Sequence, residues 1–216
     1  MQHLPVSSHA SGQADNAFAA RVVSLVGSRL CHDLVSPLGA IGNGVELLQM
    51  AGDGSTGGEE MRLIEDALKA ARARINCFRV AFGAAGAAQR VTASEFAALV
   101  ADIQTSSRLR IRLEVTDDHA RGVVKLALLS LMCMETAMPW GAKVTVAQDG
   151  RDWRIIAEAE RTRQDAALWA WLDGPGSGKA EVPASEVQFL LVPLAAAEMN
   201  RRITWSLTET GGEIRF

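Results

Sequence analysis

The chain has 216 residues, 48% hydrophobic and 22% charged, with a formal net charge of −3. That is enough apolar material for one large domain or two small ones, and the slight acidity offers no basic field to a nucleic acid. No apolar run approaches the ~18 residues of a membrane span, and the three cysteines, Cys31, Cys77 and Cys133, are too scattered for a disulfide framework or a zinc site. Such thiols suit a reducing, cytoplasmic setting.

In chain order, residues 1–16 are polar, lack a signal-peptide layout and read as a flexible tail. Residues 17–50 have helical periodicity, with Leu30, Leu34, Leu38, Ile41, Val45 and Leu48 at steps of three or four. GDGSTGG (Gly52–Gly58) interrupts the pattern as a short connection. A second helix is expected over about Glu59–Phe82. Its Met61, Ile64, Leu68, Ala71, Ile75, Phe78 and Phe82 form a heptad seam. Two long helices with a short loop make an antiparallel hairpin. One hairpin leaves an apolar face uncovered, so a homodimer forming a four-helix bundle is the expected cover.

FGAAGAAQ (Phe82–Gln89) reads as a linker. Thr92 and Glu95 then form a capping box that starts a helix to about Arg108. Ile111–Val115 alternates as a strand and Ala120–Met138 reads as a helix. Ala142–Gln148 and Asp152–Ala159 flank Asp149-Gly150 as a β-hairpin. A short helix over Ala166–Leu172 precedes a loop, DGPGSGK (Asp173–Lys179). A helix over Val182–Asn200, bent at Pro193, and a hairpin of Ile203–Glu209 with Glu213–Phe216 complete the chain. The fold class is α+β. The domains are a helical hairpin over residues 17–84 and a sheet-bearing domain over 90–216.

The residues with most chemistry lie in LCHDLVSPLGAIGNGVELL (Leu30–Leu48). At about 100° per residue, His32 points away from the apolar stripe. It shares its face with Ser28, Ser36, Gly39 and Asn43, all small or polar, so a partner surface can reach the imidazole. Asp33 is placed to orient the ring. Pro37 has no N–H, so the Asp33 carbonyl loses its helical partner and the helix loosens one turn after His32. Periodicity alone favours reading His32 as an ordinary exposed histidine and Pro37 as a tolerated kink, and Asp33 can equally be a solvated helix charge. His3, His9 and His119 lie in the tail or a loop and have no such setting.

HDLVSPL, with His32, Asp33, Ser36, Pro37 and Leu38 in order, resembles the phosphoacceptor box H-[ED]-x-x-[TS]-P-L of histidine kinases and histidine phosphotransferases. RVAFGA (Arg79–Ala84) and the order of elements resemble ChpT-type histidine phosphotransferases over roughly residues 18–216. The resemblance implies a dimeric hairpin bundle carrying the histidine, followed by a degenerate histidine-kinase ATPase-like α/β sandwich. It implies a cytoplasmic phosphorelay: His32 takes phosphate from the receiver domain of a hybrid histidine kinase and passes it to response-regulator aspartates. His32 and Arg79 stand nearly equidistant from Ser55, mid-loop, so the two are expected at one height in the hairpin. Arg79 is then a candidate for holding the phosphoryl group or the partner's acidic pocket, and equally for a surface ion pair.

In the histidine kinases that the chain resembles, the nucleotide motif places magnesium-binding asparagines on a helix of the second domain. Aligning SLMCME to the usual N-L-L-x-N-A puts Ser130 and Met134 there, and a thioether does not bind magnesium. Glu160 and Arg161 depart from the adenine loop, and DGPGSGK fails the Walker spacing. The expectation is therefore no cofactor and no bound metal, with magnesium supplied by the partner receiver and no ATP. The neutral imidazole is the nucleophile, and transfer needs mainly alignment. Two alternatives stay open: an atypical ATP-dependent histidine kinase, and an adaptor that binds response regulators without taking phosphate.

Overall fold

The computed structural model describes residues 8–51, 58–86 and 88–216. The first two helices, α1 (Ser8–Ala51) and α2 (Gly58–Ala81), form the antiparallel hairpin. Helix α1 begins at Ser8, so residues 8–16, expected as part of a flexible tail, are helical, and residues 1–7 lie outside the described residues. The loop expected over Gly52–Gly58 also lies outside them, except for Gly58, which opens α2. Pro37 is buried inside an otherwise continuous α1. The helices approach closely at Gly44, where a β-carbon would lie 2.6 Å from Ile64 Cγ1.

The rest of the chain is a helix-on-sheet sandwich. It comprises β1 (Arg90–Val91), α3 (Ala93–Ser106), β2 (Leu109–Leu113), β3 (His119–Ala120), α4 (Arg121–Ala137), β4 (Ala142–Asp149), β5 (Asp152–Glu158), α5 (Ala166–Trp169), α6 (Gln188–Glu198), β6 (Thr204–Thr208) and β7 (Gly211–Arg215). The main sheet has the order β2-β4-β5-β7-β6, with β2 and β4 parallel and the other pairs antiparallel. Alternation decides its faces. Leu109, Ile111, Val144, Val146, Trp153, Ile155 and Ile214 turn inward to the helices. Arg110, Arg112, Lys143, Arg154 and Arg215 face solvent.

Helix α4 is the centre of the core, with Val124, Leu126, Leu128, Leu131 and Met134 fully buried. The capping box at the start of α3 is formed: the Thr92 hydroxyl accepts from Glu95 N at 3.2 Å and Glu95 accepts from Thr92 N at 2.9 Å. Helix α6 starts six residues later than periodicity suggests. Pro183 holds its own backbone and disfavours the helical region for Val182, so a 3-10 turn over Ala184–Glu186 intervenes. The two-residue strands β1 and β3, paired Arg90 to Ala120 and Val91 to His119, are too short to register in a pattern.

The hairpin is not a separate bundle on a loose tether. Cys77, Phe78, Val80 and Ala81 belong to the same core as α3 and α4. The end of α2 and the linker are tied to α4, because Arg121 donates to the Arg79 carbonyl at 2.6 Å and Lys125 to the Gly83 carbonyl at 3.1 Å.

Candidate functional site

His32 lies on the outer face of α1, and its imidazole is 84% exposed. Ser28, Ser36 and Gly39 are exposed around it. A β-carbon on Gly39 would meet nothing within 4 Å, so the rim is low and open. Asp33 turns the other way and is only 8% exposed. Its Oδ1 nonetheless lies 3.1 Å from His32 Nδ1. With Nδ1 on the carboxylate, Nε2 is the nitrogen left to solvent.

The second Asp33 oxygen is held from two helices. Arg29 Nε donates to Oδ2 at 2.7 Å from one turn back, and Arg74 Nη1 on α2 lies 3.3 Å from the same atom. Asp33 is therefore not a solvated helix charge. The Arg29 guanidinium also donates to the Ser185 carbonyl in the turn before α6. Below this cluster is a cavity of about 60 Å³ lined by Arg29, Asp33, Arg74, Cys77, Asp102 and Glu135. Burial raises the Glu135 carboxyl above the usual range, opposed by Arg29 and Arg74, and reinforced by Asp33. Burial, with Asp102 and Glu135 nearby, pushes the Cys77 thiol up to about 12, so it is an inert core group.

Arg79 is not part of this cluster. It is exposed at the end of α2 and lines another cavity, of about 190 Å³, with Arg90, Glu95 and Arg121. Hairpin register explains the difference. Gly44 meets Ile64 and Asp33 meets Arg74, so the height of His32 falls about one turn before Arg79. The pairing is centred about one to two positions before Ser55, an offset that doubles on the second helix. Arg29 and Arg74 are the residues that sequence reasoning missed. The spacing of Arg29 and Asp33, four apart on one helix, was a readable signal.

In the second domain, Ser130 and Met134 are fully buried, and the Ser130 hydroxyl donates to the Leu126 carbonyl at 2.8 Å. Glu158, Glu160 and Arg161 line an open cleft of about 660 Å³ with Arg108, Arg110 and Lys143, where Arg161 stacks on Trp140 at 3.9 Å. DGPGSGK is a surface turn with Gly174 and Gly176 at positive φ, folded against Trp171, whose indole N–H donates to the Ala180 carbonyl at 3.0 Å. His119 is not an exposed loop residue. It lies in β3, buried against Trp153 with ring centroids 4.8 Å apart. Among the described residues, no three His, Cys, Asp or Glu side chains cluster to hold a metal ion.

Comparison with known proteins places this arrangement. Residues 93–211 match the family model described as the histidine phosphotransferase C-terminal domain. The chain is 37% identical to the protein phosphotransferase ChpT of Brucella abortus (strain 2308) over 201 residues, covering 89% of this chain and 92% of that one. The chain belongs to the histidine phosphotransferase family. This phosphotransferase is also similar to a solved bacterial phosphotransferase, with TM-score 0.75, 26% identity, and coverage of 91% of this chain and 96% of that one. A histidine kinase domain from Erythrobacter litoralis EL346 gives a TM-score of 0.42 at 14% identity, over 91% of this chain and 92% of that one. The α+β arrangement of a helical hairpin and a helix-on-sheet sandwich agrees with the expected fold class, and no helix among the described residues is long and apolar enough to cross a membrane.

Proposed function

We propose that this histidine phosphotransferase accepts phosphate on His32 Nε2 from the receiver domain of a hybrid histidine kinase and delivers it to response-regulator aspartates. The observation that carries the reading is the pairing of an exposed imidazole with a buried carboxylate on its Nδ1. The Nε2 lone pair attacks phosphorus in line. The bond from phosphorus to the receiver's aspartyl oxygen breaks, and its electron pair leaves with that carboxylate. The ring keeps its Nδ1 proton and gains positive charge, which Asp33 stabilises. Reversal onto a second receiver restores the neutral imidazole. Ser28, Ser36 and Gly39 form the rim that lets a receiver approach, and Pro37 frees the Asp33 carbonyl one turn away.

The reading gives the protein no cofactor of its own. Magnesium comes with the receiver, and ATP is not used. Buried Ser130 and Met134 support this, since neither presents an oxygen to a magnesium ion from that helix. The protein acts in the cytoplasm as a homodimer. Leu38 and Val45 on α1 and Met61, Leu68 and Ile75 on α2 are each at least 40% exposed and form a seam that a second hairpin would cover. Incubation with radiolabelled ATP alone is expected to leave the protein unlabelled, whereas a phosphorylated receiver domain labels it. Label from ATP alone would restore the kinase reading, and binding of the receiver without label would favour an adaptor.

A further inference from the structure

We infer that Arg29 and Arg74 are positioning residues that fix the reactive tautomer of His32, and that Arg29 makes the second domain part of that device. The inference rests on His32 being the phosphoacceptor. Its physical basis is the division of the two Asp33 oxygens. Both guanidiniums take Oδ2, from Arg29 at 2.7 Å and Arg74 at 3.3 Å, and Oδ1 remains for His32 Nδ1 at 3.1 Å. An aspartate next to a histidine on a helix does not ordinarily face it, because adjacent side chains diverge. Here Asp33 is drawn inward by cations on two helices, and its outer oxygen is what the imidazole meets. The carboxylate fixes the proton on Nδ1 and leaves Nε2 unprotonated for attack.

Arg29 extends this support beyond the hairpin. Its guanidinium reaches the Ser185 carbonyl, so one side chain joins Asp33 to the turn before α6. That turn is fixed in its own domain. Glu186 accepts from Arg163 at 2.9 Å, and the Gln188 side chain donates to the Thr136 hydroxyl on α4 at 2.9 Å. Glu135 on α4 and Asp102 on α3 line the same cavity, so the arginines lie among three carboxylates. The sandwich, in this account, holds the phosphoacceptor in register as well as covering the end of the hairpin.

The test needs no partner protein. Nitrogen-15 NMR of the histidine rings reports the His32 tautomer, and phosphoramidate, a small phosphodonor, reports Nε2 reactivity by mass spectrometry. In Arg29→Gln and Arg74→Gln the Nδ1–H tautomer is expected to lose its dominance, and His32 phosphorylation to slow about 10-fold. Arg74→Lys, which keeps the cation, should recover most of the rate. If Arg29→Gln fails to fold by circular dichroism, Arg74→Gln on the half-exposed face of α2 decides alone. Unchanged tautomer and unchanged rate in Arg74→Gln overturn the inference. His32→Gln separates the two claims: if it is phosphorylated as fast as wild type, the acceptor is elsewhere, whatever the tautomer measurement finds.

Discussion

Asp33 Oδ1 and His32 Nδ1 are 3.1 Å apart although the two side chains leave α1 in different directions, one into the protein and one into solvent. A buried carboxylate thereby meets an exposed ring. In the proposed reaction the partner's aspartate would carry the phosphoryl group, and this protein would supply a nucleophile with a defined lone pair.

Asp33→Asn tests that control. The amide oxygen would take the two guanidiniums, leaving the NH₂ to face Nδ1. A donor there favours the Nε2–H tautomer, which cannot attack. Transfer from a phosphorylated receiver should fall at least ~10-fold, in the direction seen when a histidine-orienting aspartate is amidated elsewhere. Receiver affinity, measured by calorimetry, should change little. A variant that transfers at the wild-type rate in rapid-quench experiments contradicts the role of Asp33.

The apolar seam of the hairpin predicts association. Leu68 is 40% exposed and flanked at heptad spacing by Met61 and Ile75. Leu68→Glu places a charge in the middle of that seam, where burial without a partner is costly. Light scattering should give dimer mass for the wild type and monomer mass for Leu68→Glu. Monomer mass for both refutes the dimer.

The core helix α4 predicts the outcome of restoring a kinase-like residue. Met134 is fully buried among Leu and Met side chains. Met134→Asn removes apolar contacts and buries an unpaired amide, a loss of about 3 kcal/mol or more. Urea unfolding should show it, with no gain of magnesium-dependent ATP binding. A stable variant that binds ATP would mean that this helix face opens to a nucleotide.

His119 predicts a pH dependence of stability. Burial lowers its pKa from the ordinary 6.5, and Arg90 lowers it further, opposed by Asp117 and Asp118. Its Nε2 is buried without a hydrogen-bond partner. The unfolded chain therefore takes up a proton as pH falls through about 6.5, while the folded chain does not. Stability is full above that pH and declines as pH falls toward the folded-state value. The melting temperature should drop between pH 7.5 and 5.5, and His119→Leu should flatten the drop. An unchanged slope in that variant assigns the effect to other groups.

Much of this was legible locally. The capping box, the β4–β5 hairpin and both long helices follow from spacing within a few residues, which is where periodicity and turn chemistry act. The exposure of His32 followed from its angle to the apolar stripe. What failed depended on distant parts of the chain. Counting from a loop midpoint sets Arg79 level with His32, but a shift of a few residues moves a side chain by a full turn and onto another face. The burial of Asp33 depends on Arg74, and that of His119 on Trp153. Neither partner is implied by the neighbouring sequence. Arg29 is the exception, since its spacing to Asp33 was visible and marked the inward face of α1.

The central claim is that His32 takes and passes on a phosphoryl group. The most direct measurement incubates a radiolabelled, phosphorylated receiver domain with the wild type and with His32→Ala, then adds a second receiver. The account predicts acid-labile label on the wild type alone, followed by its movement to the second receiver. Equal labelling of His32→Ala, or label on the wild type that no receiver removes, would contradict it.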